Sequence, residues 1–220
     1  MTIALEVLPD AEGAALRVAA LVAERARESV EARGAFTVAV SRDSRGTMLR
    51  ALWDEEVPWE QVTIFQVDER VAPPGHPDRN LVQLLAELPG EARPDIRPMP
   101  VDAPDLDRAA AEYAARLPEA LDLVHLGLGA DGHTASLVPG DAVLSVTDRL
   151  VAVTAEYEGW QRMTLTYPAL AAAREIVWLV TGESKRDALA KLLAGDQSIP
   201  AARVANESQL VVCNAAGAPA

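Results

Sequence analysis

The chain has 220 residues, half of them hydrophobic, and a formal net charge of -13 at pH 7. That length and apolar content suffice for one sizeable core, while 33 acidic against 20 basic side chains argue against an extended nucleic-acid surface, which draws its affinity from clustered lysine and arginine. No apolar run is long enough to span a bilayer, and no basic segment with an apolar core and cleavage site opens the sequence. The expectation is a soluble, cytoplasmic, single-domain protein over 1–220, with no membrane or nucleic-acid partner.

Strand-like and helix-like runs alternate along the chain. Thr2 to Val7 reads as a strand, followed by a long alanine-rich amphipathic helix from about Glu12 to Ala32, with Gly34 suited to its carboxyl-terminal stop. Phe36 to Val40 is strand, Thr47 to Glu55 helix, Val62 to Val67 strand, and Asn80 to Glu87 a short helix expected to be capped by Asn80. Ile96 to Val101 has strand character interrupted by Pro98 and Pro100. Asp105 to Leu117 is helical and Leu121 to Leu126 is a buried strand; Leu150 to Thr154 and Met163 to Thr166 add further strand. Pro168 opens a short helix, then come the strand Ile176 to Val180, the helix Ser184 to Leu193 and a last strand, Gln209 to Cys213. Such alternation predicts an α/β fold, a mostly parallel open sheet with helices on both faces. The single cysteine, Cys213, lies in an apolar strand and is expected to be a buried thiol.

Chemistry concentrates behind the strand that ends at Leu126. The run GLGADGHTASLVPG, Gly127 to Gly140, supplies glycines that allow close backbone approach to a ligand, together with Asp131 and His133 as acid-base candidates. Histidine titrates near neutrality, about 6.5 when unperturbed, so it is able to take a proton from water and return it to a leaving oxygen. A second polar loop, Asp68 to Asn80, starts with Asp-Glu-Arg and is stiffened by prolines. His125, inside the apolar strand, reads as a core residue, and His76 as a loop residue. The pattern Gly127-Leu128-Gly129-Ala130-Asp131-Gly132 only superficially matches a dinucleotide fingerprint, because an acid and a His-Thr pair stand where a smooth helix should begin.

These residues resemble the 6-phosphogluconolactonases, within the wider fold family that includes glucosamine-6-phosphate deaminase/isomerase. GLGADGHTASLVPG is similar to the signature loop, VDERVAPPGHPDRN (67–80) to the acidic-arginine loop, QRMTLTYPALAAAREIVWLVTGESK (161–185) to the arginine strand and lysine turn, and IPAARV (199–204) to the tail motif. The likeness covers nearly the whole chain. It implies a Rossmann-like, glucosamine-6-phosphate isomerase-like fold and hydrolysis of 6-phospho-D-glucono-1,5-lactone to 6-phospho-D-gluconate in the oxidative pentose phosphate pathway. It implies no cofactor and no metal, and a phosphorylated sugar lactone as partner; a monomer or weak homo-oligomer is the separate expectation for assembly.

The same resemblance assigns roles. His133 is the expected general base, supported by a carboxylate, with Asp68 the leading candidate and Asp131 the second. Arg70 and the backbone around Gly129 and Gly132 are expected at the oxyanion, and Arg162 with Lys185 at the phosphate. Deaminases of the wider family carry an asparagine, glutamate and proline combination after the histidine; here Ala135-Ser136-Leu137-Val138-Pro139 lacks that acid, which favours lactone hydrolysis. One departure stands out. Where the family has a Ser-Gly-Gly-Ser phosphate loop, this chain has Ser41-Arg42-Asp43-Ser44-Arg45-Gly46. Either Arg42 or Arg45 replaces backbone contacts to phosphate alongside Ser41 and Ser44, or the pocket is weakened and the chain is a non-catalytic sugar-phosphate-binding paralogue. A glucosamine-6-phosphate deaminase/isomerase is the third reading.

Overall fold

A computed structural model describes residues 3–42, 47–88, 90 and 93–219. Strand β1 (Ala4–Leu8) leads into helix α1 (Ala11–Arg33), whose Ala14, Val18, Leu21 and Val22 recur at helical spacing and are buried. Asp10 caps the helix by accepting from Gly13 N at 2.7 Å, and Gly34, at φ 78°, ends it by donating its N–H to Val30 O. Then follow β2 (Phe36–Val40), α2 (Thr47–Ala51), β3 (Val62–Gln66), β4 (Asp68–Arg70), α3 (Asn80–Glu87), β5 (Asp95–Arg97), α4 (Leu106–Ala114) and β6 (Leu123–Leu126). The chain closes with β7 (Val151–Val153), β8 (Arg162–Leu165), α5 (Tyr167–Ala171), β9 (Ile176–Val180), α6 (Arg186–Leu193) and β10 (Gln209–Asn214).

Seven strands form one parallel sheet in the order β1-β10-β9-β6-β2-β3-β5. Side chains alternate across it. Phe36, Val38, Val40, Leu123, Val177 and Val212 pack into a core with α1, α2 and α3, whereas Ala39, Val124, Leu126, Trp178 and Val211 pack into a second core with α4 and α6. Both faces are thus covered, which is why the central strands read as continuous apolar runs. Among the described residues no helix is long and apolar enough to cross a membrane.

A second, antiparallel sheet, β4-β8-β7, was not expected from the sequence. Val67 joins the two sheets, donating to Val40 O at 3.1 Å and accepting from Leu165 N at 2.8 Å. The predicted loop at Asp68 therefore begins as a strand, with Asp68 opposite Thr164, Glu69 opposite Met163 and Arg70 opposite Arg162. Asn80 does not cap α3. It is the first helical residue, and the buried Glu69 carboxylate caps the helix instead, accepting from Asn80 N at 2.7 Å and Leu81 N at 2.9 Å. Predicted Ile96 to Val101 shrinks to Asp95–Arg97, consistent with the missing donors at Pro98 and Pro100. Thr2, at the start of the first predicted strand, lies outside the described residues.

Candidate active site

In the large sheet, strand order runs from β2 to β3 and β5 on one side and from β6 to β9, β10 and β1 on the other. The crevice at the carboxyl ends of β2 and β6 is therefore a topological switch point, where open α/β sheets place ligands. A cleft of about 210 Å³ occurs there, lined by Ser41 and Arg42 after β2, His125 and the loop residues Gly129 and His133 from β6 onward, and Lys185 after β9. The buried His125, expected as a core residue, contributes to its wall.

The loop after β6 folds back on itself. Gly129 N donates to His133 O at 2.8 Å, and Thr134 Oγ1 donates to Gly127 O at 2.9 Å. A Cβ on Gly129 would stand 2.2 Å from His133 Nδ1, so only glycine leaves room for the imidazole. Gly132 takes φ 84° and a Cβ there would meet Ile199 at 2.5 Å, while its carbonyl accepts from Ala201 N. The tail motif around Ile199 thus braces the histidine loop.

His133 Nδ1 is 2.7 Å from Asp131 Oδ1, and the same oxygen accepts the His133 backbone N–H at 3.1 Å. Partial burial pushes the Asp131 carboxyl up, but the N–H and imidazole of His133 outweigh it and hold the group below its ordinary value. An ionised carboxylate accepts only, so the hydrogen-bond pattern assigns the ring proton to Nδ1 and leaves the basic lone pair on Nε2. The position expected first for Asp68 is therefore filled by Asp131. The reason is local: Asp131 precedes His133 by two residues in one tight turn, whereas Asp68 lies on β4 facing β8.

Asp68 is buried and its carboxylate is engaged elsewhere, accepting from Ser136 Oγ at 2.6 Å and from Asn80 Nδ2 at 3.1 Å. Burial raises its carboxyl above the ordinary value, against the Ser136 hydroxyl and the positive charge of Arg162, which favour the anion. Arg70 is shifted the other way: burial lowers it, and the neighbouring charges of Arg162 and Arg42 lower it further. Its Nη1 donates to Asp78 O at 2.8 Å.

Arg162 does not line the cleft with Lys185. It is 4% exposed and outside the cleft lining, with its guanidinium 4.9 Å from the centre of the Tyr157 ring. Nη2 donates to Tyr157 O and Glu158 Oε2, both at 3.2 Å, while the buried Nε has no hydrogen-bond partner among the described residues. Lys185 follows Gly182, at φ 99°, in a tight turn and has no carboxylate partner among the described residues. Ser44, Arg45 and Asp43 lie outside the described residues.

Sequence reasoning gave no part to Tyr157, whose ring packs edge-on against His133 at 5.8 Å and whose hydroxyl donates to Asp131 Oδ2 at 3.4 Å. Nor did it give Ser136 a contact. A buried hydroxyl within the apolar run ASLV was the available signal, since such a group needs a partner. Trp160 donates its Nε1 to Asp78 Oδ2 at 3.1 Å and packs on His76. Among the described residues no group of three His, Cys, Asp or Glu side chains is placed to hold a metal ion.

Comparison with known proteins places the chain in a family. Residues 9–213 match the family model of glucosamine-6-phosphate isomerases/6-phosphogluconolactonase. The chain is 36% identical over 206 residues to a 6-phosphogluconolactonase of Nostoc, covering 86% of this chain and 85% of that one. It is 35% identical over 219 residues to the 6-phosphogluconolactonase of Rattus norvegicus, covering 89% and 83%. A crystal structure of the 6-phosphogluconolactonase of Thermotoga maritima shares the fold with TM-score 0.86 at 23% identity, over 97% of this chain and 99% of that one. The chain belongs to the glucosamine-6-phosphate isomerase/6-phosphogluconolactonase family.

Proposed function

We propose that this chain hydrolyses 6-phospho-D-glucono-1,5-lactone to 6-phospho-D-gluconate, as a single-domain cytoplasmic enzyme that is a monomer or weak homo-oligomer. The observation that carries the reading is the His133–Asp131 pair, 2.7 Å apart at a cleft that Lys185 and Arg42 also line. His133 Nε2 takes a proton from a water attacking C1, and the tetrahedral oxyanion forms. Collapse breaks the bond from C1 to the ring oxygen, which receives the proton from the imidazolium. The acid then ionises and releases one proton.

Arg70, with Arg162 beside it, supplies the positive field for the oxyanion; the N–H groups of Gly129 and Gly132, expected there as well, are instead taken up inside their own loop, on His133 O at 2.8 Å and Gly129 O at 3.0 Å. The buried Asp68 acts on both guanidinium groups. Lys185 and Arg42, with Ser41, hold the phosphate at the cleft. Arg42 here replaces glycine-loop backbone contacts with a guanidinium. Against deamination, Ser136 stands in the stretch where deaminases carry their extra acid, and its hydroxyl is spent on Asp68.

The test is purified protein with fresh 6-phosphogluconolactone and with glucosamine 6-phosphate, following acid release and ammonia. Lactone turnover above the spontaneous rate, lost roughly 10²- to 10⁴-fold in His133→Ala, is expected. Binding without turnover would point to the non-catalytic paralogue, and ammonia release to the deaminase.

A further inference from the structure

Between β7 and β8 the chain makes a tight reversal in which Tyr157 and Trp160 form an isolated antiparallel bridge, with Glu158 at φ 51° and Gly159 at φ 82°. Glu158 is one of two non-glycine residues with positive φ among the described residues, so the turn holds an unfavourable backbone in place. The reversal projects one side chain, Tyr157, onto both halves of the candidate site. Its ring meets His133 edge-on at 5.8 Å, its face lies 4.9 Å from the Arg162 guanidinium carbon, and its hydroxyl donates to Asp131 Oδ2. The far end of the turn is pinned as well, by Trp160 Nε1 on Asp78.

We infer that Tyr157 is a positioning residue for the hydrolytic reaction, a wedge that sets the His133–Asp131 pair against the Arg162 end of the site. The inference rests on the lactonase reading. Asp131 offers two oxygens; Oδ1 serves the imidazole and backbone of His133, and Oδ2 is left to the phenol. That second bond keeps the carboxylate from rotating away and spreads its negative charge. Burial and the negative charges of Asp131 and Glu158 push the phenol up, so it stays a donor throughout the working range. The ring meanwhile fixes the imidazole plane, and its π face attracts the arginine. The other titratable groups around the cleft with His133 are Arg42, His125 and Lys185, and none of these contacts Asp131 in the hydrogen-bond or ion-pair pattern of the described residues.

Tyr157→Phe and Tyr157→Leu separate hydroxyl from ring. In Tyr157→Phe, kcat for the lactone is expected to fall roughly three- to tenfold with KM unchanged, the scale of one lost hydrogen bond. The acid limb of its pH–rate profile is expected to move to higher pH, because an Asp131 without its donor holds the imidazolium proton more firmly. Tyr157→Leu is expected to lose more, with Tyr157→Phe recovering part of it. In both, the low-field proton resonance of His133 Nδ1–H, read in the ligand-free protein, is expected to shift or broaden, and this signal needs no turnover. If the wild-type protein fails to hydrolyse the lactone, the lactonase reading fails while the resonance still judges the positioning. An unmoved resonance and acid limb, with activity intact or falling only in step with thermal stability, would overturn the inference.

Discussion

Arg70 stands directly opposite Arg162 on the antiparallel ladder of β4 and β8, two like charges in register on one face. Such a pair opposes folding; Arg162 has Glu158 Oε2 at 3.2 Å, and the buried Asp68 acts on both guanidinium groups. An arrangement that costs stability in the empty protein is explained if an anion forms between these groups during the reaction. Arg70→Met should therefore lower kcat about 10²- to 10³-fold with a smaller change in KM, and should not lower Tm. Stopped-flow acid release with differential scanning fluorimetry checks both halves; intact kcat would remove Arg70 from the oxyanion.

Lys185 and Arg42 face the cleft from the ends of β9 and β2, and they should fail differently from Arg70. Lys185→Met removes a charged phosphate contact and should raise KM roughly 10- to 100-fold with kcat largely kept. Arg42 is exposed, so Arg42→Met should cost roughly two- to fivefold in KM, and that effect should shrink in high salt. Steady-state kinetics at two ionic strengths distinguishes the pair. A kcat loss without a KM change in Lys185→Met would place the phosphate elsewhere.

Much of this layout could be read from the residues because parallel strands buried on both faces are near-continuous apolar runs, as at Leu123 to Leu126 and Ile176 to Val180. The glycines around His133 announced a backbone that must come close to something. Strand β4 carried no such mark: Asp-Glu-Arg has no apolar period, and its pairing depends on β8, nearly a hundred residues later. The choice between Asp68 and Asp131 was equally hidden, since it turns on the turn geometry around Gly129 and on Ser136 claiming Asp68. Asn80 fits a capping pattern but is displaced from that role by Glu69, a tertiary contact that overrides local propensity.

The buried Asp68 should leave a signature in stability against pH. Its carboxyl is raised above the ordinary value of 3.8, chiefly by burial, so the folded protein binds this proton more tightly than the unfolded chain. Stability from that group is present below the ordinary value and is lost as pH rises through the folded one. Asp68→Asn abolishes the dependence: Tm should exceed wild type at pH 8 and approach it at pH 4. Parallel Tm curves for the two proteins across that range would contradict the assignment.

Gly129 offers the most direct separation of chemistry from folding. An added Cβ would lie 2.2 Å from His133 Nδ1 and 2.5 Å from Asp131 Oδ1, so both side chains must move, yet neither belongs to the apolar core. Gly129 also takes no left-handed φ, so alanine fits its backbone and restricts the unfolded chain. Gly129→Ala should keep Tm close to wild type while kcat falls about 10²-fold or more, the scale of a catalytic group misplaced by about 1 Å. A Gly129→Ala protein with full turnover would mean that the imidazole works from some other position, and the His133–Asp131 contact would then be incidental to hydrolysis.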